Sequence, residues 1–410
     1  MTSRVDVDRR GSEGTIHLAR ALVMEVRTTD TLLTLPPPPS EIEDGGAPLL
    51  VAVEATRLSR EVRGIGRYVR ALLPRLVALR PGLRLALFAK NQKDVEALRP
   101  QFATLRDYVT IHPVREMLKS GADVFWYPWN VASPTPSRGP VVVTMHDIVP
   151  IAHPDPRLRG WQKNFRWRRR YSLTAKRATL IIADSQFTAD EIHRMLDVSY
   201  DRMRVVLLAA DDFAVPSAAS DEAALARLGV RQPFVLAVGA ADRRKNLELL
   251  ERAMPHVIAA RPDATLVLAG PRRDPQAPPL DASWRKTLGF VSEEELAALY
   301  RGASVLVMPS TYEGFGLPVL EAMRLGTPVI CARASSLPEV AGEAAALIDP
   351  DDDVELASII LQVMSDSGLN ASMRAASLAQ SARFSWDETA RQTINAFEEA
   401  IEIAGVARRR

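Results

Sequence analysis

Residues 304–322 read SVLVMPSTYEGFGLPVLEA, and the rest of the chain is interpreted outward from them. Residues 304–308 form a short apolar run closed by a proline, the pattern of a buried strand. A loop follows, and a helix is expected to open at Leu317-Pro318. Pro318 suits a first helical turn, where its missing N–H is no loss. Glu313 stands in the loop and Glu321 early in the helix, eight residues apart. Gly314 and Gly316 let the backbone turn and let a ligand approach the N–H groups of Phe315, Gly316 and Leu317. The free N–H groups and the dipole of a helix start favour an anion. A carboxylate just inside that start accepts hydrogen bonds from vicinal hydroxyls. The segment therefore suits a molecule that carries both phosphate and polyol.

Strand and helix alternate on both sides of this stretch. Buried strands are expected at 49–53, 83–89, 124–127, 141–145, 179–183 and 203–208, with helices at 65–79 and 188–196 among them. A second set runs 234–238, helix 247–261, 265–269, helix 293–301, 305–308, helix 317–325 and 329–332. Such alternation implies parallel sheets covered on both faces. The expected fold is α/β: two tandem doubly wound, Rossmann-like domains facing a cleft at the carboxyl edges of their strands. Residues 1–46 are read as an extension with a proline-rich linker; alternatively, translation begins at Met24. The first domain is expected over 47–210, a connection over 211–232 and the second domain over 233–385. Further helices are expected over 354–364 and 370–381, and a last helix within 386–410.

Composition fits a soluble enzyme. The chain has 410 residues, 47% of them hydrophobic, with 52 basic against 50 acidic side chains and a net charge of +2. That balance argues against general nucleic-acid binding. The single cysteine, Cys331, excludes an intrachain disulfide and a thiolate metal cluster, and fits a reducing cytoplasm. No apolar run approaches the ~18 residues of a membrane span. The first residues are too charged for a signal peptide.

Four further constellations fall at expected strand ends. VGAADRRKN, residues 238–246, follows the first strand of the second domain. It places Gly239, Arg243, Arg244, Lys245 and Asn246 at the cleft, where cations neutralise phosphates. Gly64-Ile-Gly66-Arg-Tyr follows the first strand of the first domain, either as a loop toward the ligand or as a plain helix entry. His146-Asp147-Ile-Val-Pro ends the strand 141–145, with His146 either structural or in the site. Asp184-Ser-Gln-Phe-Thr-Ala-Asp-Glu191 carries Thr-x-x-Glu spacing, read as a capping box from Thr188 to Glu191.

Together these blocks resemble retaining glycosyltransferases of family four, which have the two-domain GT-B fold. The likeness covers most of 49–395 and is densest at 238–340. It implies hexose transfer from a nucleotide-sugar donor with retention at the anomeric carbon. It further implies that Arg244 and Lys245 hold the diphosphate and that Glu321 binds the donor ribose. Glu313 would orient the sugar, with His146 on the opposite wall steadying it through ring or carbonyl. Gly64, Gly66, Gly239 and Asn246 would complete the donor site, and the last helix would cross back to the first domain. GIGRY, HDIVP and RRKN make GDP-mannose the first donor to expect. No cofactor or metal is implied, since no Asp-x-Asp lies on a suitable loop and the basic pair replaces the cation. A nucleotide-sugar 2-epimerase and a non-catalytic two-lobed sugar-binding protein remain as alternatives.

Between 157 and 177 stand nine Lys/Arg and no Asp or Glu, interleaved with Trp161, Phe165 and Trp167. Basic and aromatic residues together suit an anionic membrane surface or a polyprenyl-diphosphate-linked saccharide acceptor. The alternative is a solvated helix with two core aromatics. A cytoplasmic protein, peripheral on the inner membrane face, acting on a glycan or lipid-linked saccharide is the resulting expectation. Nucleic acid is not expected as a partner.

Overall fold

The computed structural model describes residues 48–61, 64–134, 136, 139–154, 160–210, 218–239, 243–271 and 282–409. The expected extension over 1–46, Arg157 and Arg159 of the basic stretch, and the start of the 211–232 connection lie outside the described residues.

The first sheet is built from β1 (Leu49–Glu54), β2 (Leu83–Ala89), β3 (Val109–Pro113), β4 (Val124–Tyr127), β5 (Val141–Met145), β6 (Leu180–Ala183) and β7 (Met203–Val205). Helices α1 (Ile65–Leu79), α2 (Gln92–Leu98), α3 (Val149–Ala152), α4 (Gly160–Arg177) and α5 (Gln186–Leu196) lie between them. All pairings are parallel and the order is β3-β2-β1-β4-β5-β6-β7. After α6 (Ala218–Arg227) comes the second sheet, from β8 (Phe234–Val238), β9 (Thr265–Ala269), β10 (Arg285–Gly289), β11 (Val305–Met308), β12 (Val329–Ala332) and β13 (Ala345–Ile348). It too is parallel, in the order β10-β9-β8-β11-β12-β13. Helices α7 (Leu247–Ala260), α8 (Glu293–Gly302), α9 (Leu317–Arg324), α10 (Leu337–Ala341), α11 (Asp353–Ser365), α12 (Ser367–Ser381) and α13 (Trp386–Arg409) complete the chain.

Central strands such as Val305–Met308 and Val141–Met145 are buried at every position, as strands covered on both faces must be. In each sheet the order reverses once, between β1 and β4 and between β8 and β11. A crevice opens at the carboxyl ends of strands at such a reversal; the blocks at 64–68, 238–246 and 309–317 follow β1, β8 and β11 there, and those at 146–150 and 184–191 follow the neighbouring strands β5 and β6. α13 leaves the second sheet and packs on the first. The Phe397 ring meets Trp126 of β4 at 5.5 Å between centroids, and Thr389 Oγ1 donates to the Leu207 carbonyl at 2.7 Å. Asp387 and Glu398 pair with Arg75 and Arg80 at 3.0 and 2.8 Å.

Several boundaries differ from the sequence reading. Edge strands β3, β10 and β13 were not expected, and the strand expected over 203–208 ends at Val205. α5 begins at Gln186 with Ser185 as its cap, the Ser185 side chain accepting the Thr188 N–H. Thr188 is therefore inside the helix, and the box from Thr188 to Glu191 does not form.

Candidate active site between the two sheets

On the second-sheet side, the loops after β8 and β11 close on each other. Lys245 Nζ donates to Glu313 Oε1 at 2.6 Å, with the two side chains only 14% and 12% exposed. The Lys245 chain runs over Gly239, and the Gly239 N–H donates to the Ala269 carbonyl. Arg244 Nη1 donates to the Tyr312 carbonyl at 3.2 Å, and its own carbonyl takes the Thr311 N–H at 2.8 Å. Arg243 is exposed at the rim. Asn246 adopts a left-handed backbone at the cap of α7, and its Nδ2 donates to the Pro350 carbonyl at 2.7 Å. Its amide thus holds the turn that follows Arg244 and Lys245.

The 309–316 loop is held by serines. Glu313 N–H donates to Ser335 Oγ at 3.0 Å, and Ser336 Oγ donates to the carbonyls of Glu313 and Phe315 at 3.0 and 2.8 Å. The Phe315 ring is buried against Phe384, so only its backbone is left for a ligand. Gly316 caps α9 at φ 104°, a conformation that favours glycine. Leu317 opens the helix, and Glu321 stands in its second turn.

Across the cleft, Gly64 caps α1 and Gly66 sits in its first turn. Arg67, beside them, donates from Nη1 to Glu321 Oε1 at 2.9 Å and reaches Glu293 at 3.5 Å. Tyr300 Oη donates to the other oxygen, Glu321 Oε2, at 2.9 Å. Between Arg67, Tyr68, Leu317, Glu321 and Trp386 remains a cavity of about 10 Å³, roughly one water. Glu321 thus already accepts from both domains, through Arg67 of the first and Tyr300 of the second.

His146 ends β5. Its Nδ1 lies 2.5 Å from Asp184 Oδ2, its Nε2 donates to the Pro128 carbonyl at 3.0 Å, and its N–H donates to Asn130 Oδ1 at 2.7 Å. Both ring nitrogens are hydrogen-bonded within the first domain, and of the two groups expected to serve the sugar, ring or carbonyl, the carbonyl is the one that faces the second domain. A Cβ added at Gly314 would sit 1.8 Å from that carbonyl oxygen, so only glycine lets the two loops approach. Burial alone would lower the His146 pKa, but the Asp184 charge and hydrogen bond and the Pro128 carbonyl together raise it. Burial raises Asp184 as well, against the pull of His146. Asp147 is also held above its ordinary range by burial, against a hydrogen bond from the Val149 N–H and the charges of His146 and Arg244.

Residues not singled out from sequence complete the junction. Ser185 Oγ and Thr188 Oγ1 donate to the Gly314 carbonyl at 2.6 and 2.9 Å. Glu339 on α10 accepts the Gln186 N–H at 2.8 and 3.0 Å and the Phe187 N–H at 3.3 Å. The signals were present: Arg67 lies inside GIGRY, and Ser185 inside a block read for its helix cap alone. Among the described residues, no three His, Cys, Asp or Glu cluster in a way that could hold a metal ion.

The family described as glycosyltransferase family 4 matches residues 62–212, and that described as glycosyl transferases group 1 matches 232–366. The O-antigen chain mannosyltransferase B of Escherichia coli is 33% identical over 371 residues, covering 82% of this chain and 96% of the relative. Among solved structures, HepE from Anabaena, in complex with UDP and glucose, superposes with a TM-score of 0.64 at 19% identity, over 86% of this chain and 100% of that one. Sucrose-phosphate synthase from Thermosynechococcus elongatus gives 0.63 at 20% identity, over 86% and 98%. At such identities these structures speak to the fold alone, and they share the arrangement of two parallel sheets.

Proposed function

We propose, from the premise that this chain belongs to glycosyltransferase family 4, that it moves a hexose from a nucleotide-sugar donor with retention at the anomeric carbon. The acceptor is a glycan or a polyprenyl-diphosphate-linked saccharide, as in surface polysaccharide assembly. The observation that carries this reading is the Lys245–Glu313 pair at the reversal of the second sheet, with Arg244 beside it. In this structure the ammonium and carboxylate satisfy each other. With donor, Lys245 and Arg244 turn to the diphosphate and Glu313 to the sugar hydroxyls.

Glycosyl transfer passes through a state with oxocarbenium character, so the departing nucleoside diphosphate needs its charge neutralised and the sugar needs orientation. Arg244 and Lys245 supply fixed positive charge without a metal. The N–H groups of Phe315, Gly316 and Leu317 at the start of α9 face hydroxyls or phosphate. Glu321 takes the ribose. The His146 carbonyl, pressed against Gly314, faces the developing positive charge. GDP-mannose is the first donor to test, supported by the name of the E. coli relative.

The basic face of α4 supports docking on an anionic membrane from the cytoplasmic side. Trp161 and Phe165 are 67% and 65% exposed, which sets aside the alternative of two core aromatics. Among the described residues no helix is long and apolar enough to cross a membrane.

The deciding experiment incubates the protein with GDP-, UDP- and dTDP-sugars, with and without EDTA, and measures nucleoside diphosphate release. Nuclear magnetic resonance of the product then reads the anomeric configuration. Release from one donor class, insensitive to EDTA and with retained configuration, is the expected result. No release from any of the donors, or inversion, would overturn the reading.

A further inference from the structure

We propose that Glu339, Ser185 and Thr188 are positioning residues for the transfer proposed above, on which this inference rests. They form a clasp at the head of α5 that sets the two walls of the site at working distance. Three kinds of contact converge there. The Ser185 and Thr188 hydroxyls reach the Gly314 carbonyl of the opposite loop, and both side chains are fully buried. The Glu339 carboxylate takes two N–H groups at the α5 start. Such groups have no partner within their own helix and lie at the positive end of its dipole, and here the other domain supplies the anion. The Tyr312 ring meets His153 at 4.7 Å and Phe187 at 5.3 Å, edge-on in both cases.

The placement of these contacts argues for positioning over mere adhesion. Asp184, next to Ser185, holds the His146 ring, while Ser185 holds Gly314, next to Glu313. One dipeptide therefore fixes both the first-domain wall and the second-domain loop. α10 does the same from the other side. Ser335 and Ser336, just before it, hold Glu313 and Phe315, and Glu339 within it reaches across to α5. Arg244 and Lys245, proposed for the diphosphate, are carried by the second domain and hold Tyr312 and Glu313 from within it. Opening the clasp should thus spare donor binding and lose the assembled geometry, a loss that small misplacements make large.

The test uses the full chain with Glu339→Ala, Glu339→Gln and the double variant Ser185→Ala/Thr188→Val. Calorimetry with free nucleoside diphosphate, transfer kinetics, the melting midpoint and amide hydrogen exchange are measured on each. Glu339→Ala is expected to keep nucleoside diphosphate affinity and the melting midpoint. Its kcat should fall about tenfold, and the Gln186 and Phe187 amides should exchange faster. Glu339→Gln, which retains one acceptor oxygen, should recover part of kcat. Normal kcat in both the folded Glu339→Ala and double variants would overturn the clasp. So would parallel loss of affinity, kcat and melting midpoint, the mark of a structural role. If the wild type turns over no nucleotide sugar, the transferase reading fails, and exchange judges the clasp. Unchanged exchange across residues 186–187 and 313–316 in Glu339→Ala would then overturn it.

Discussion

Lys245→Ala removes one member of an ion pair that is nearly buried on both sides. The charge-assisted contact proposed between Lys245 and the diphosphate would be worth about 1.5–3 kcal/mol, so turnover should fall by one to two powers of ten. The melting midpoint should also fall, because Glu313 is left as an unpaired, nearly buried carboxylate; normal donor turnover in a folded Lys245→Ala protein would remove the diphosphate assignment. The two glutamates should separate in calorimetry with free nucleoside diphosphate. Glu321→Gln should weaken binding, while Glu313→Gln should spare binding and lower turnover, because its proposed partner is the sugar. Equal loss of affinity in both variants would abolish that division of labour. His146 and Asp184 both hold their proton more firmly folded than unfolded. The stabilisation from His146 is therefore complete below its ordinary value of 6.5 and is lost as pH rises through the raised folded value. Thermal melts of wild type against His146→Gln should show this slope only in the wild type. These residues were legible because their chemistry follows from strand ends. Their pairings were not, since Arg67 with Glu321 spans 254 positions of sequence that no local pattern links.

α4 carries the prediction that belongs to an element. Lys163, Arg166, Arg168, Arg169, Arg170, Lys176 and Arg177 are all exposed along it, beside Trp161 and Phe165. Each cation near an anionic leaflet contributes about 1 kcal/mol, and salt should weaken the attraction. Sedimentation with anionic and neutral vesicles at low and high salt should show binding only to anionic vesicles at low salt. Changing Arg166, Arg168, Arg169 and Arg170 to Ala should abolish it. Binding that ignores lipid charge, or that survives those changes, would leave α4 an ordinary solvated helix. The strands that sequence missed share a physical reason. β3, β10 and β13 are all edge strands, and each is only partly buried. RKTLG, with two cations in five residues, lacks the continuous apolar run of a strand covered on both faces. The start of α5 was misplaced because Thr188 and Glu191 have box spacing while Ser185, three residues earlier, does the capping.

At the scale of the whole molecule, α13 makes the first half of the chain depend on its last helix. Phe397→Ala should cost about 3–5 kcal/mol, as for other large-to-small changes in a packed core. Its ring is fully buried against Trp126. Denaturant unfolding should show a lower midpoint, with the tryptophan signal of the first domain lost earliest; a midpoint equal to wild type would contradict this packing. The crossing also bears on how the protein is made. At about 5–20 residues per second, the roughly 190 residues between Val205 and Phe397 take on the order of 10–40 s to emerge from the ribosome. Throughout that interval the nascent first sheet has its strands but not its lid. The half that is translated first is thus the half that matures last, and it is the one most in need of chaperone shelter during synthesis.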